Sequence, residues 1–213
     1  LSNTNTIAAC AKHFAGYGAV EAGRDYNTAD ISDRSLYEIH LPPFKAATEA
    51  GIASFMTAYI DVNGTPATSN VKLSNILRNE WKYEGLVVSD WNSIGELIEH
   101  GMAKDKEEAA LQAINAQVDI DMQSNAYIGS LQKLLEKGFI SEKSIDKAVK
   151  RMLKLKFQLG LFDDPFRYCN EQREKELLCC EEHINAAREM AKRSLVLLKN
   201  KDNLLPFDPN IQS

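Results

Sequence analysis

The residues best suited to chemistry stand where short apolar runs turn polar. Asp90 closes the run Leu86-Val87-Val88-Ser89 and is followed at once by Trp91. A carboxylate beside a large aromatic suits work on a sugar. The ring packs on the apolar face of a pyranose, and the carboxylate meets positive charge at the anomeric carbon. The same Asp could instead cap the helix predicted near Ile94. Lys12 and His13 form a second pair. Neighbours on a regular strand point to opposite faces, so both reach one site only where the strand ends or bulges. Gly16 and Gly18 just beyond allow that. A lysine there also permits a Schiff base to a carbonyl substrate. The competing roles are a structural ion pair for Lys12 and a hydrogen-bonded core histidine for His13. Arg24-Asp25 reads equally well as a loop clamp or a structural pair. Glu96 offers a second carboxylate, although a glutamate in a first helical turn more commonly answers the helix dipole.

Other chemistries find little support. No His, Cys and Glu cluster has metal-ligand spacing, and AGYGAVEAG lacks the Gly-Lys-Ser/Thr ending of a phosphate loop. Cys10, Cys169, Cys179 and Cys180 outline no disulfide framework. The sequon Asn63-Gly64-Thr65 is followed by Pro66 and is a weak match, while Asn63-Gly64 itself marks a tight turn.

Four β-type runs must position the candidates: Ile7 to Phe14, Ile52 to Tyr59, Leu86 to Asp90, and Val118 to Met122. Between them lie helical patterns over Ser32–Leu41, stopping at Pro42-Pro43, then Ser69–Trp81, Ile94–His100 and Lys104–Ala116. Strand–helix units of about 30 residues or more are βαβ repeats with parallel strands. Each run ends in polar or aromatic groups: Lys12-His13, Tyr59, Asp90, and Asp119 or Asp121. A (β/α)8 barrel gathers its chemistry at the C-terminal ends of its strands, and these four would deliver such groups to one rim. Beyond Met122 the pattern predicts a helix ended by Gly138. A long helix then begins at Ser141, with Ile145, Val149, Met152 and Leu153 on one face. Lys143, Lys147, Lys150, Arg151 and Lys154 lie on a solvated face opposite. Asp163-Asp164-Pro165 breaks the chain, a helix runs from about Glu181 to Leu198, and Lys199–Ser213 has the composition of a linker.

The chain has 213 residues with 44% hydrophobic and 26% charged residues, within the globular range, so disorder is not expected. A net charge of −5 argues against a nucleic-acid binder. No run approaches the roughly 18 apolar residues of a membrane span. A whole barrel needs about 250 residues, and only four units are visible, within the first 122 positions. The expected fold class is therefore α/β: a partial (β/α)8 TIM-type barrel, its last four βα units, followed by long helices and a linker. Residues 1–160 would form the C-terminal half of the barrel, and residues 161–213 a linker with a helix leading to a second domain.

AKHFAGYG, GRDYNTADIS, LPPFKAA, GLVVSDWNSI, VDIDMQS, KFQLGLFDDP and SLVLLKN followed by NLLPF occur in this order. The series resembles glycoside hydrolase family 3, in its branch of periplasmic bacterial β-glucosidases. The resemblance implies a retaining hydrolase that removes terminal β-D-glucosyl residues from β-glucosides or short oligosaccharides, at a periplasmic or secreted location. It makes Asp90 the catalytic nucleophile, in a mechanism that needs no metal or organic cofactor. Lys12, His13, Tyr59, Trp91, Met56 and Arg24 become substrate-binding residues. Between Phe14 and Ile39 no His occurs, which disfavours the branch acting on N-acetylglucosaminides. The β-glucosidase branch takes its acid/base Glu from the domain beyond the barrel, so that partner domain of the same chain is implied, and the 213 residues alone are expected to be inactive. Two other classes compete: a barrel lyase with Lys12 as Schiff-base nucleophile, and a carbohydrate-binding relative without catalysis.

Overall fold

The computed structural model describes residues 7–210. In chain order, β1 (Cys10–Phe14) leads into a loop of short 3-10 turns. Ser32 then opens α1 (Asp33–Ser35) by accepting the Ser35 N–H at 3.1 Å, and the helix runs on as a π-helical stretch over Leu36–His40. Pro42-Pro43, expected only as a stop, instead begins α2 (Pro42–Glu49). A proline in the first turn lacks an N–H that would have no partner anyway, and its fixed φ suits the helix. β2 (Ser54–Thr57) is followed by a hairpin of β3 (Asp61–Val62) and β4 (Thr65–Pro66). Asn63 and Gly64 turn it with φ of 54° and 81°, the left-handed pair that a tight hairpin demands. The Asn63 amide also donates to Ile31 O and accepts the Ile31 N–H, both at 2.7 Å. α3 (Val71–Asn75), capped by Asn70 on the Leu73 N–H, continues as a π-helical stretch over Ile76–Glu80. β5 (Leu86–Val88), α4 (Lys106–Asn115), α5 (Ala126–Glu136) and α6 (Glu142–Gln158) complete this part.

The sheet has the order β1-β2-β5, every pair parallel, with helices in each connection. This is the α/β repeat that the spacing predicts. The fourth expected strand, Val118–Met122, is reduced to one parallel bridge between Val88 and Ile120. Its flanking aspartates spend themselves on backbone N–H groups, which competes with a regular ladder. Phe14, Phe55 and Tyr83 anchor the core, with Phe14–Phe55 centroids 5.5 Å apart and Phe55–Tyr83 4.9 Å, both edge-on. Each such buried ring contributes about 1.5–3 kcal/mol of transfer free energy.

Neither Asp119 nor Asp121 faces a reactive rim. Asp119 Oδ2 accepts from Arg78 Nη2 and from the Val87 N–H, each at 2.8 Å, and Oδ1 accepts from Arg151 Nη1 at 2.7 Å. Arg78 also donates to Tyr83 O and Gly85 O. The carboxylate thus sits at the start of β5, at the opposite end of the strand from Asp90. Asp121 accepts the N–H groups of Ala126 and Tyr127 and so caps α5. Arg151, expected on a solvated face, is drawn inward by Asp119. Conversely Val149 and Leu153 of the apolar stripe are 48% and 40% exposed.

The contacts divide the chain into two compact units after Arg167. The second unit contains α7 (Glu171–Leu177), opened by Asn170 on the Arg173 N–H, and α8 (Glu181–Ser194). α8 stops four residues short of the expected Leu198. Leu195 to Leu198 are all apolar, and four consecutive helical positions would spread them over every face. They lie outside any helix or strand instead, Leu195 with an extended backbone.

Candidate active site

β5 ends at Val88, and Asp90 follows in the turn beyond it, buried at 7% exposure. Asp90 Oδ1 accepts the Trp91 N–H at 2.7 Å. Oδ2 lies 3.1 Å from His13 Nε2 but out of hydrogen-bond alignment, and it makes no hydrogen bond among the described residues. One oxygen is therefore oriented and the other is left available. The turn is braced from below by a chain of buried hydroxyls. Thr57 Oγ1 meets Thr68 Oγ1, and Thr68 Oγ1 meets Ser93 Oγ, both at 2.9 Å.

His13 reaches this place because β1 breaks register between Ala11 and Phe14, the bulge that two adjacent site residues require. Burial lowers the His13 pKa more than the Asp90 carboxylate raises it, so the ring is neutral at pH 7. Tyr59, in the loop after β2, donates to Trp91 O at 2.8 Å. Burial, then the Asp90 charge, pushes the Tyr59 phenol upward, so it remains a donor. The Trp91 ring is 59% exposed, a free face beside the carboxylate.

Four of the seven sequence candidates, Asp90, His13, Tyr59 and Trp91, are thus joined by contacts. The other three are not. Lys12 is exposed with no ion pair among the described residues, although its charge reaches His13. Met56 is half-buried opposite Val88, and the Arg24 side chain is exposed in the loop after β1. Among the described residues no three His, Cys, Asp or Glu gather as a metal set.

Two neighbours escaped the sequence. Tyr17 packs on His13 with ring centroids 5.1 Å apart, and its hydroxyl donates to Asp25. Tyr26 packs on Tyr59 at 4.7 Å. The available signal was aromatic density in a glycine-rich loop. Glu96 is the second carboxylate that the sequence offers. Its Oε2 is buried without a hydrogen bond among the described residues. Burial first, then the charges of Asp90 and Asp25, raises its pKa. A carboxyl with a folded pKa above its unfolded value loses stability as pH rises through that window, from about 4.3 upward. Glu96→Gln should therefore raise the melting temperature by roughly 1–3 °C at pH 7 and by nothing at about pH 3.5. Thermal unfolding of parent and variant at both pH values checks this. An equal gain at both would mean that the Glu96 charge is not the cause.

The model of the glycosyl hydrolase family 3 N-terminal domain matches residues 2–155. The periplasmic β-glucosidase of Salmonella typhimurium is 41% identical over 200 residues, which covers 92% of this chain and 26% of that protein. The xylan 1,4-β-xylosidase of Xylanibacter ruminicola is 34% identical over 96% of this chain and 24% of its own length. Among solved structures, the β-glucosidase of Listeria innocua in complex with isofagomine aligns with TM-score 0.82 and 46% identity, over 96% of this chain and 29% of that one. The chain thus spans between 24% and 29% of these relatives' length. With most of its sequence matched by the family's model, the chain belongs to glycosyl hydrolase family 3.

Proposed function

We propose that this chain supplies the nucleophile half of a retaining β-glucosidase. The observation that carries it is the Asp90 carboxylate, buried, with Oδ1 tied to the Trp91 N–H and Oδ2 left unbonded beside a neutral His13. In the proposed reaction Oδ2 attacks the anomeric carbon and the glycosidic C–O bond breaks. The leaving oxygen takes a proton from a separate Glu, and a covalent glycosyl-enzyme remains. Water deprotonated by that Glu then attacks the same carbon and releases Asp90. Carboxyls in such pairs stand about 5–5.5 Å apart. A neutral His13 leaves the Asp90 charge intact while its N–H donates to a sugar hydroxyl. Lys12, Arg24, Tyr59 and Met56 line the glycone, and Trp91 is the platform. The substrate is a β-linked glucoside or short oligosaccharide, and the location is periplasmic or secreted, in line with the Salmonella relative's name.

The same proposal makes residues 1–160 the C-terminal half of a (β/α)8 barrel, with 161–213 leading toward the domain that holds the acid/base. The support is the run of parallel neighbours β1, β2, β5 and Ile120, together with the share of each relative covered. In the full-length polypeptide, a 2-fluoro-glucoside inactivator should label the peptide that contains Asp90. A label elsewhere, or faster turnover of aryl β-xylosides than β-glucosides, would overturn the assignment of nucleophile or substrate respectively.

The 213 residues expressed alone should hydrolyse no aryl β-glucoside and should aggregate. Val149, Leu153 and Phe157 on α6 stand 48%, 40% and 65% exposed. Uncovered apolar surface forgoes about 25 cal/mol per Å², against a usual stability of only about 5–15 kcal/mol. Size exclusion and an activity assay check this. A soluble, active monomer would refute it and bring Glu96 forward as the acid/base.

A further inference from the structure

His13 is held in an unusual way. Its Nε2 is near Asp90 without hydrogen-bond alignment, and neither ring nitrogen makes a hydrogen bond among the described residues. An imidazole rotates broadly about its last torsion unless something fixes it. The Tyr17 ring packs against the imidazole, tilted, at 5.1 Å and 58°, inside the favourable range for aromatic pairs, and restricts that rotation. Tyr17 is itself fixed. Its hydroxyl donates to Asp25 Oδ1, which also accepts the Tyr26 N–H at 3.0 Å. From Tyr26 the contacts continue through Tyr59 and Trp91 O to the Trp91 N–H, which returns to Asp90. The circuit from Asp90 through His13, Tyr17, Asp25, Tyr26, Tyr59 and Trp91 is closed.

We propose that Tyr17 is a positioning residue, which through its ring on His13 and its hydroxyl on Asp25 locks the loop after β1 onto both flanks of the nucleophile. This rests on the β-glucosidase reading for its effect on turnover, but the lock itself does not. Two functions are separable in one side chain. The ring orients His13, and the hydroxyl holds the loop that carries Arg24 and Tyr26. Tyr17→Phe keeps the first and loses the second. Tyr17→Ala loses both.

The test uses the full-length polypeptide with an aryl β-glucoside. Tyr17→Phe should raise KM about tenfold with kcat within about threefold of the parent, since a loosened loop weakens binding before it disturbs the nucleophile. Tyr17→Ala should lower kcat/KM about 100-fold, with kcat falling as well, because His13 is then misplaced. Asp25→Ala should be at least as impaired as Tyr17→Phe, since it removes the Tyr17 bond and also the acceptor of the Tyr26 N–H. The double variant should be no worse than Asp25→Ala, because the Tyr17–Asp25 bond can be lost only once. Trypsin supplies a readout independent of turnover. Cleavage after Arg24 in the folded protein should be at least about fivefold faster in Tyr17→Phe than in the parent. Losses that multiply in the double variant, unchanged KM in Tyr17→Phe, or unchanged cleavage after Arg24 would each overturn the proposal. Should Tyr17→Ala fail to fold, the Phe and Asp25 variants still decide it. A parent that hydrolyses no glycoside would sink the functional reading instead, and the Arg24 cleavage rates would then judge the lock by themselves.

Discussion

Asp90→Asn in the full-length polypeptide should lower kcat by on the order of 10⁴-fold while an unreactive sugar analogue still binds within about threefold of the parent. The amide preserves the shape of the turn. Its oxygen still accepts the Trp91 N–H, and the hydroxyl chain Thr57–Thr68–Ser93 is untouched. What disappears is the anionic oxygen that must form a bond to carbon, an interaction made only on the way through the transition state. Binding groups such as His13 and Trp91 act in the ground state too and remain. Steady-state kinetics and calorimetric titration separate the two effects. A fall of less than about tenfold in kcat would move the nucleophile elsewhere. A matching loss of affinity would mark the substitution as structural.

The second large effect lies at the far end of the same strand. Asp119→Ala should cost about 3–5 kcal/mol, the usual penalty for breaking a buried ion pair by removing one partner. The side chain of Asp119 is 1% exposed and that of Arg78 4%, so neither guanidinium proton nor the Val87 N–H gains water in exchange. Arg151 is less enclosed at 18% and recovers part of its solvation. The melting temperature should fall by about 10 °C, and the Asp90 site should keep its kcat in the surviving folded fraction. Calorimetry with activity per folded molecule checks both. A shift below about 1 kcal/mol would mean that water reaches the triad.

Asp119 also shows what a linear sequence conceals. Asp90, Asp119 and Asp121 all follow apolar runs, so periodicity treats them alike. Only the pairing of Val88 with Ile120 puts Asp119 beside the Val87 amide and Asp121 beside the first turn of α5. Arg78 and Arg151, distant in sequence, then determine which carboxylate is structural. The parallel βαβ repeat was legible because strands covered by helices on both faces are apolar almost throughout. The adjacency of Lys12 and His13 made a bulge legible, and β1 has it, but of the two only His13 comes into contact with Asp90. Tyr17 and Tyr26 were not legible, since their importance comes from stacking across a loop whose path no periodic pattern encodes. A helix start was read well where a cap marks it, as at Ser32. It was misread where a proline had two meanings.

The turn at Asn63 bears on how the protein can be made. Its carboxamide is spent on Ile31, one proton donated and one accepted, so the nitrogen that an oligosaccharyltransferase would modify is occupied once the hairpin has closed. Glycan transfer to Asn-X-Thr acts on the side-chain nitrogen. In a secretory host that decorates nascent chains, any transfer at Asn63 would precede closure, and a bulky sugar would then stand where the Ile31 backbone must come. Bacterial expression avoids that competition altogether, and removal of the sequon by Thr65→Val leaves the Asn63 carboxamide free to pair.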